Sequence, residues 1–186
     1  MFSPKNINSY LITNFNTKTM KRNLLFICLI VLSSITLTAQ TKKEKKAAAK
    51  EKGYENIKTM IDSGIYFFEA GWATTEKGRR ISLSSNPNHL VIDKDSADID
   101  LPYFGVSQNL TAGLSGNGEI SFKESIKNYK VEYNDKKEKA VIKFNANGFD
   151  ISLQVTSSGT SYLNVNSMDR NSISYDGETF PLDAKK

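Results

Sequence analysis

Residues able to do chemistry are few in this chain, and they are scattered. His89 is the sole histidine, within Asn86-Pro-Asn-His89, so an acid–base pair or transition-metal site built on it would have to borrow carboxylates. Asp93, Asp95, Asp98 and Asp100 offer hard oxygen ligands, but the calcium-loop pattern fails: Asp98 stands where glycine is needed and Phe104 where glutamate is. Gly113-Leu-Ser-Gly-Asn-Gly118 has neither dinucleotide nor P-loop spacing and reads as a hairpin loop. No serine sits in a nucleophile elbow, and Asn109-Leu-Thr111 is a glycosylation acceptor by pattern only. His89 therefore reads as a solvated loop residue and the aspartates as a solvated hairpin. The expectation is a protein without enzymatic activity, cofactor or metal.

The aromatics are the more informative set. Tyr66, Phe68, Trp72, Tyr103 and Phe104 are candidates to line a cavity holding a small apolar or amphipathic ligand, with Arg79 and Arg80 placed to meet a ligand carboxylate. The competing reading makes these rings the filling of a packed core and the arginines plain surface charges. Asp95-Ser96-Ala97 matches a short bacterial O-glycosylation sequon, so Ser96 is a candidate sugar site.

The start of the chain is a targeting signal by pattern. Lys21 and Arg22 precede a largely apolar run from Leu24 to Leu37, and Ala39-Gln40 follows as a cleavage point. Residues 20–39 read as a secretory signal peptide, with residues 1–19 as an upstream extension and Met20 as initiator. A long polar n-region is the alternative. The apolar run is shorter than the roughly 20 residues of a spanning helix, so no transmembrane segment is expected in the mature chain. Cys28, the only cysteine, lies mid-run and not at a lipoprotein position. The product is expected in the periplasm or outside the cell, cleaved and not lipidated.

Losing the leader also changes the charge balance. The whole chain carries 25 basic and 20 acidic residues. Four of the basic ones (Lys5, Lys18, Lys21 and Arg22) and none of the acidic ones precede Gln40. Near neutrality gives no field to gather nucleic acid, which is excluded as a partner.

These residues need elements to position them. Residues 40–62 are rich in Lys, Ala and Glu, with capping-box spacing at Thr41-Lys-Lys-Glu44, and Tyr54, Ile57 and Ile61 recur at helical period. That predicts a helix whose second half docks on the domain, with Gly53 as a point of weakness. From Ile65 the period becomes two. Tyr66, Phe68, Ala70 and Trp72 fall on one strand face, and alternation returns at Tyr129–Tyr133, Ile142–Phe144 and Phe149–Val155. Shorter strand candidates are Ile81–Leu83, Leu90–Ile92, Glu119–Phe122, Tyr162–Val165, Ser172–Tyr175 and Thr179–Leu182. Asp93–Ser96, Asn134-Asp135, Asn147-Gly148, Ser158-Gly159 and Asp176-Gly177 read as reversals. Residues 63–186 are thus a single antiparallel β-barrel or barrel-like sandwich behind one N-terminal helix.

Phe68-Glu-Ala70, Gly78-Arg-Arg80, Leu101-Pro-Tyr-Phe-Gly105, Gly118-Glu-Ile-Ser-Phe122 and Arg170-Asn-Ser-Ile-Ser-Tyr-Asp-Gly177, in this order, resemble the domain-of-unknown-function family DUF4251, exported proteins of the Bacteroidota. The resemblance implies a lipocalin-like β-barrel with a helix before it, and it brings no activity or catalytic residues. Thr74-Thr75 departs from the pattern, where a proline is expected. The function expected is that of an exported, non-enzymatic envelope protein binding a small apolar or amphipathic molecule. The alternative is an interaction or structural module that uses its helix or an exposed strand edge to contact another envelope protein.

Overall fold

The computed structural model describes residues 41–105 and 119–184. The signal peptide and its Ala39–Gln40 cleavage point, Cys28, Asn109–Thr111 and Gly113–Gly118 lie outside the described residues. Residues 47–186 form one compact unit, and residues 41–46 belong to another, in which they are helical and exposed.

Residues 41–62 are helical (α1). Thr41 is itself helical. Tyr54, Ile57, Met60 and Ile61 form its buried face, at spacings of three and four. Gly53 is a close-packing site and not a point of fraying: a β-carbon there would stand 2.4 Å from the Ser157 carbonyl oxygen. Polar contacts continue along the same side. Lys58 Nζ pairs with Asp135 at 2.9 Å and lies 4.4 Å from the centre of the Tyr54 ring, and Lys50 Nζ meets Glu138 at 2.5 Å. The Lys58 ammonium holds the Asp135 carboxyl below its ordinary value.

Ten strands follow: β1 (Ile65–Thr75), β2 (Arg80–Ser82), β3 (His89–Asp93), β4 (Ser96–Pro102), β5 (Glu119–Ser125), β6 (Lys127–Asn134), β7 (Lys139–Ala146), β8 (Phe149–Thr156), β9 (Thr160–Ser167) and β10 (Ile173–Pro181). They make one antiparallel sheet in the order β5-β4-β3-β1-β10-β9-β8-β7-β6, with β2 added to β1. The sheet curls into a half-barrel. Its two terminal strands, β5 and β6, are consecutive in the chain with only Ile126 between them. Ile126 N–H is tied to the Asp95 carbonyl at 2.8 Å. The edges are therefore covalently joined at one corner, and among the described residues no ladder closes them.

Tyr66, Phe68, Leu90, Ile92, Ile99, Leu101, Ile142, Leu153, Leu163 and Tyr175 are fully buried in a single apolar cluster that fills the concave side. Asn147 (φ 47°) and Gly148 (φ 79°) make the expected reversal between β7 and β8. Asp176-Gly177 does not reverse the chain; it lies inside continuous β10. Gly177 is needed for close approach, since a β-carbon there would stand 2.0 Å from the Glu69 carbonyl oxygen across the ladder.

Candidate functional site

The outer face of β1 and β10 carries the most developed site, and a single extra residue creates it. Ala70 pairs with Gly177 and Trp72 with Asp176, leaving Gly71 as a bulge. Tyr66, Phe68 and Ala70 point inward as expected, but the bulge turns Trp72 to the outside, where it is 43% exposed. The expectation of one face from Tyr66 to Trp72 is corrected here: strict period-two counting fails across an inserted residue.

The bulged backbone needs partners that a regular neighbour strand would supply. Asn88, buried, supplies them. Its Oδ1 accepts from Ala70 N–H at 2.8 Å, and its Nδ2 donates to the carbonyls of Ala70 and Asn86, both at 3.0 Å. Leu83 N–H donates to the Gly71 carbonyl at 2.9 Å. The segment 83–88 is thereby held off the sheet. Between it and β10 lies a groove of about 710 Å³, lined among others by Glu69, Trp72, Ser84, Asp176, Glu178 and Phe180.

The electrostatics of the groove are uneven. Glu69 stands directly opposite Glu178 in the ladder, and Asp176 is one step along the same face. Like charges directly opposite are unfavourable. Arg80 answers Asp176, with Nη2 at 3.3 Å from Oδ2, and its guanidinium lies 4.7 Å from the Trp72 ring centre. Both members of that ion pair are about half exposed, so it contributes little to stability. Chemically, the groove offers a flat ring for an apolar group and carboxylates for a cation or hydroxyls.

The remaining sequence candidates disperse. Tyr66 and Phe68 are core residues, while Arg79 is exposed at the β1–β2 turn with its N–H on Thr75 Oγ1 at 3.2 Å. Tyr103 is buried and Phe104 is 39% exposed, both well along the chain from the groove lining. Ser96 Oγ donates to the Asp93 carbonyl at 3.2 Å within the β3–β4 turn. His89 lies on β3 and not in a loop; its Nε2 is 3.3 Å from Asp98 Oδ1, and its ring stacks on Phe67 at 6.0 Å. Lys123 meets the other Asp98 oxygen at 3.6 Å. These three groups share an open strand surface. Among the described residues, no group of three or more His, Cys, Asp or Glu is placed to hold a metal ion.

Glu69, Glu178 and Asn88 were missed from sequence. A glycine inside an apparent strand, Gly71, was the available signal, because strand glycine marks bulges and close approach.

A second constellation is structural. Tyr103 Oη donates to the Asn171 carbonyl at 3.1 Å, and Tyr175 Oη to the Pro102 carbonyl at 2.9 Å. Arg170 Nη1 donates to the Glu119 carbonyl at 3.0 Å, with its guanidinium 5.2 Å from the Tyr103 ring centre. The Leu101–Gly105 and Arg170–Gly177 stretches thus clasp each other. Burial pushes the Tyr103 and Tyr175 hydroxyls above their ordinary value.

No helix among the described residues is long and apolar enough to cross a membrane. No curated protein matches the chain. The crystal structure of a DUF4251 family protein from Bacteroides eggerthii is similar in fold, with a TM-score of 0.56 at 15% identity, over 74% of this chain and 93% of that one. The profile described as domain of unknown function (DUF4251) matches residues 48–179, within which lie the bulge, the clasp and all of the groove lining except Phe180, and the chain belongs to that family.

Proposed function

We propose that this protein is an exported, non-enzymatic binding protein that holds a cationic amphiphile on its outer surface, in the groove beside the β1 bulge. The observation that carries this reading is exposed Trp72 in the same groove as the carboxylates of Asp176 and Glu178. A cation meets the groove carboxylates, while an apolar chain or ring covers Trp72 and Phe180. The ligand class narrows the apolar or amphipathic molecule expected from sequence. Its site moves from the interior to the outside, since inward-facing Tyr66 and Phe68 have no exposure to offer.

Calorimetric titration with dodecyltrimethylammonium, below its micelle concentration, tests the reading against dodecyl sulfate as the anionic control. Binding of the cation alone, weakened about tenfold by Glu178→Gln, is expected. Equal binding of both amphiphiles, or no change in the variant, contradicts it. Export rests on the basic, apolar and small-residue pattern of residues 20–39. N-terminal sequencing of the protein from its host's envelope fraction should read from Gln40, and a retained Met1 or Met20 overturns it.

The alternative, an interaction module, is favoured by one separate observation: among the described residues β6 has a single ladder neighbour, β7.

A further inference from the structure

β6 is an edge strand of unusual composition. Every residue from Lys127 to Asn134 is exposed except half-buried Val131, and among the described residues only β7 pairs with it. An exposed strand with one free edge is a template for another strand. Its sequence states which strand fits. Asn128-Tyr-Lys-Val-Glu-Tyr-Asn134 reads the same in both directions, except that Lys130 and Glu132 exchange.

We propose that β6 pairs antiparallel with β6 of a second copy of this chain, about a two-fold axis through Val131. That register sets Val131 against Val131 and, twice, Lys130 against Glu132, and it brings the Tyr129 end of one strand beside Tyr133 of the other. Charge complementarity is thus built into a self-match, as an isologous interface requires. A one-residue slip would bring outward and inward faces together, and a two-residue slip would set like charges opposite.

Three further observations agree. Within one chain Lys130 stands opposite Lys143, an unfavourable pair, and among the described residues Lys130 has no ion-pair partner. Lys143 instead reaches Glu132 at 3.3 Å. The second copy's Glu132 supplies what Lys130 lacks. Tyr129 and Tyr133 are 38% and 37% exposed although their hydroxyls are anchored to Tyr66 and Asp62. The register lays these preordered rings against each other across the interface. The bulge between Lys127 and Lys130 takes in Asn128 and Tyr129, so regular strand geometry begins at Lys130 and the match is centred on Lys130, Val131 and Glu132.

This inference is independent of the groove on β1 and β10. Sedimentation velocity on the protein purified from its host, up to about 100 µM, should show a reversible dimer. Lys130→Glu and Glu132→Lys, both on exposed side chains, should each weaken dimerisation about tenfold or more, and the double exchange should restore it. Glu178→Gln should leave it unchanged. A monomer throughout that range overturns the proposal, as does a dimer indifferent to both single exchanges or one that the double exchange fails to restore.

Discussion

Two strands of this sheet carry a bulge, and they put it to opposite uses. In β1 the extra residue, Gly71, sits at the sheet's centre, between β10 on one side and β2 and β3 on the other. Its neighbours are all accounted for: Asn88 serves the Ala70 backbone, Leu83 the Gly71 carbonyl, and Gly177 gives up a side chain to let the strands meet. In β6 the irregularity lies at an edge, beside exposed Asn128, whose φ is +54° and whose Nδ2 donates to Asn145 at 2.9 Å. The central bulge re-aims Trp72 and opens a groove; the edge bulge interrupts a strand that among the described residues has one neighbour. The difference teaches that the cost of disrupting a ladder depends on what replaces the lost partners. In the centre the replacement is protein, and at the edge it is solvent or another chain.

The largest effect that would break this comparison is at Gly177. Gly177→Ala brings a β-carbon against backbone that has no rotamer to escape with, and should destabilise by about 3 kcal/mol or more in urea titration. Gly71→Ala, whose nearest atom would be 3.9 Å away, should cost far less. Equal costs would mean that the tight contact is not what holds the bulge. Asn88→Ala strips both backbone groups of Ala70 of their side-chain partner and should cost about 2–3 kcal/mol. In β6, Asn128→Ala should cost under about 1 kcal/mol, since water replaces its lost contact but cannot remove the positive φ.

Gly53→Ala sharpens the contrast between propensity and packing. An exposed helix gains about 1 kcal/mol from this change. Here the Ser157 carbonyl stands in the way, so a net loss of about 1–2 kcal/mol is expected on chemical denaturation.

The smallest effect is a pH dependence at the β6 side. Burial, with the nearby Tyr129 and Tyr133 hydroxyls, holds Tyr66 well above the ordinary tyrosine value, and burial with the Asp62 hydrogen bond raises Tyr133. Burial also raises Tyr129. Because the folded values exceed the unfolded value of about 10, the folded state keeps protons that the unfolded state releases. The tyrosine contribution to stability is therefore full below about pH 10 and declines as pH rises through the folded values. Absorbance titration of phenolate formation should show Tyr66→Phe removing a late-titrating group, and an early-titrating one would contradict the assigned burial.

Much of the architecture was legible because it depends on local chemistry. Phe149, Ile151, Leu153 and Val155 alternate as a half-buried strand must, and Asn147-Gly148 has the residues a two-residue reversal demands. The helix face at Tyr54, Ile57 and Ile61 followed from its period. What was not legible depends on the partner strand. Asp176-Gly177 has turn composition, and only its apposition to Glu69 and Ala70 shows why glycine stands within β10. Trp72 was assigned to the interior because an inserted residue does not announce itself in a count of alternation. That β6 pairs only with β7 among the described residues follows from pairing order, which spacing alone does not contain. Of the candidate site, Trp72 and Arg80 were named from sequence, while Glu69, Asp176 and Glu178 needed the ladder register to bring them together.

The central claim, binding on the outer face and not in the interior, is tested most directly through Trp72, the only tryptophan in the chain. Its emission can be followed as dodecyltrimethylammonium is added, with acrylamide quenching measured at each point. The account predicts a shift to shorter wavelength and lower quenching at saturation, both weakened in Glu178→Gln. Amphiphile binding by calorimetry with Trp72 emission and quenching unchanged would place the ligand elsewhere and contradict the account.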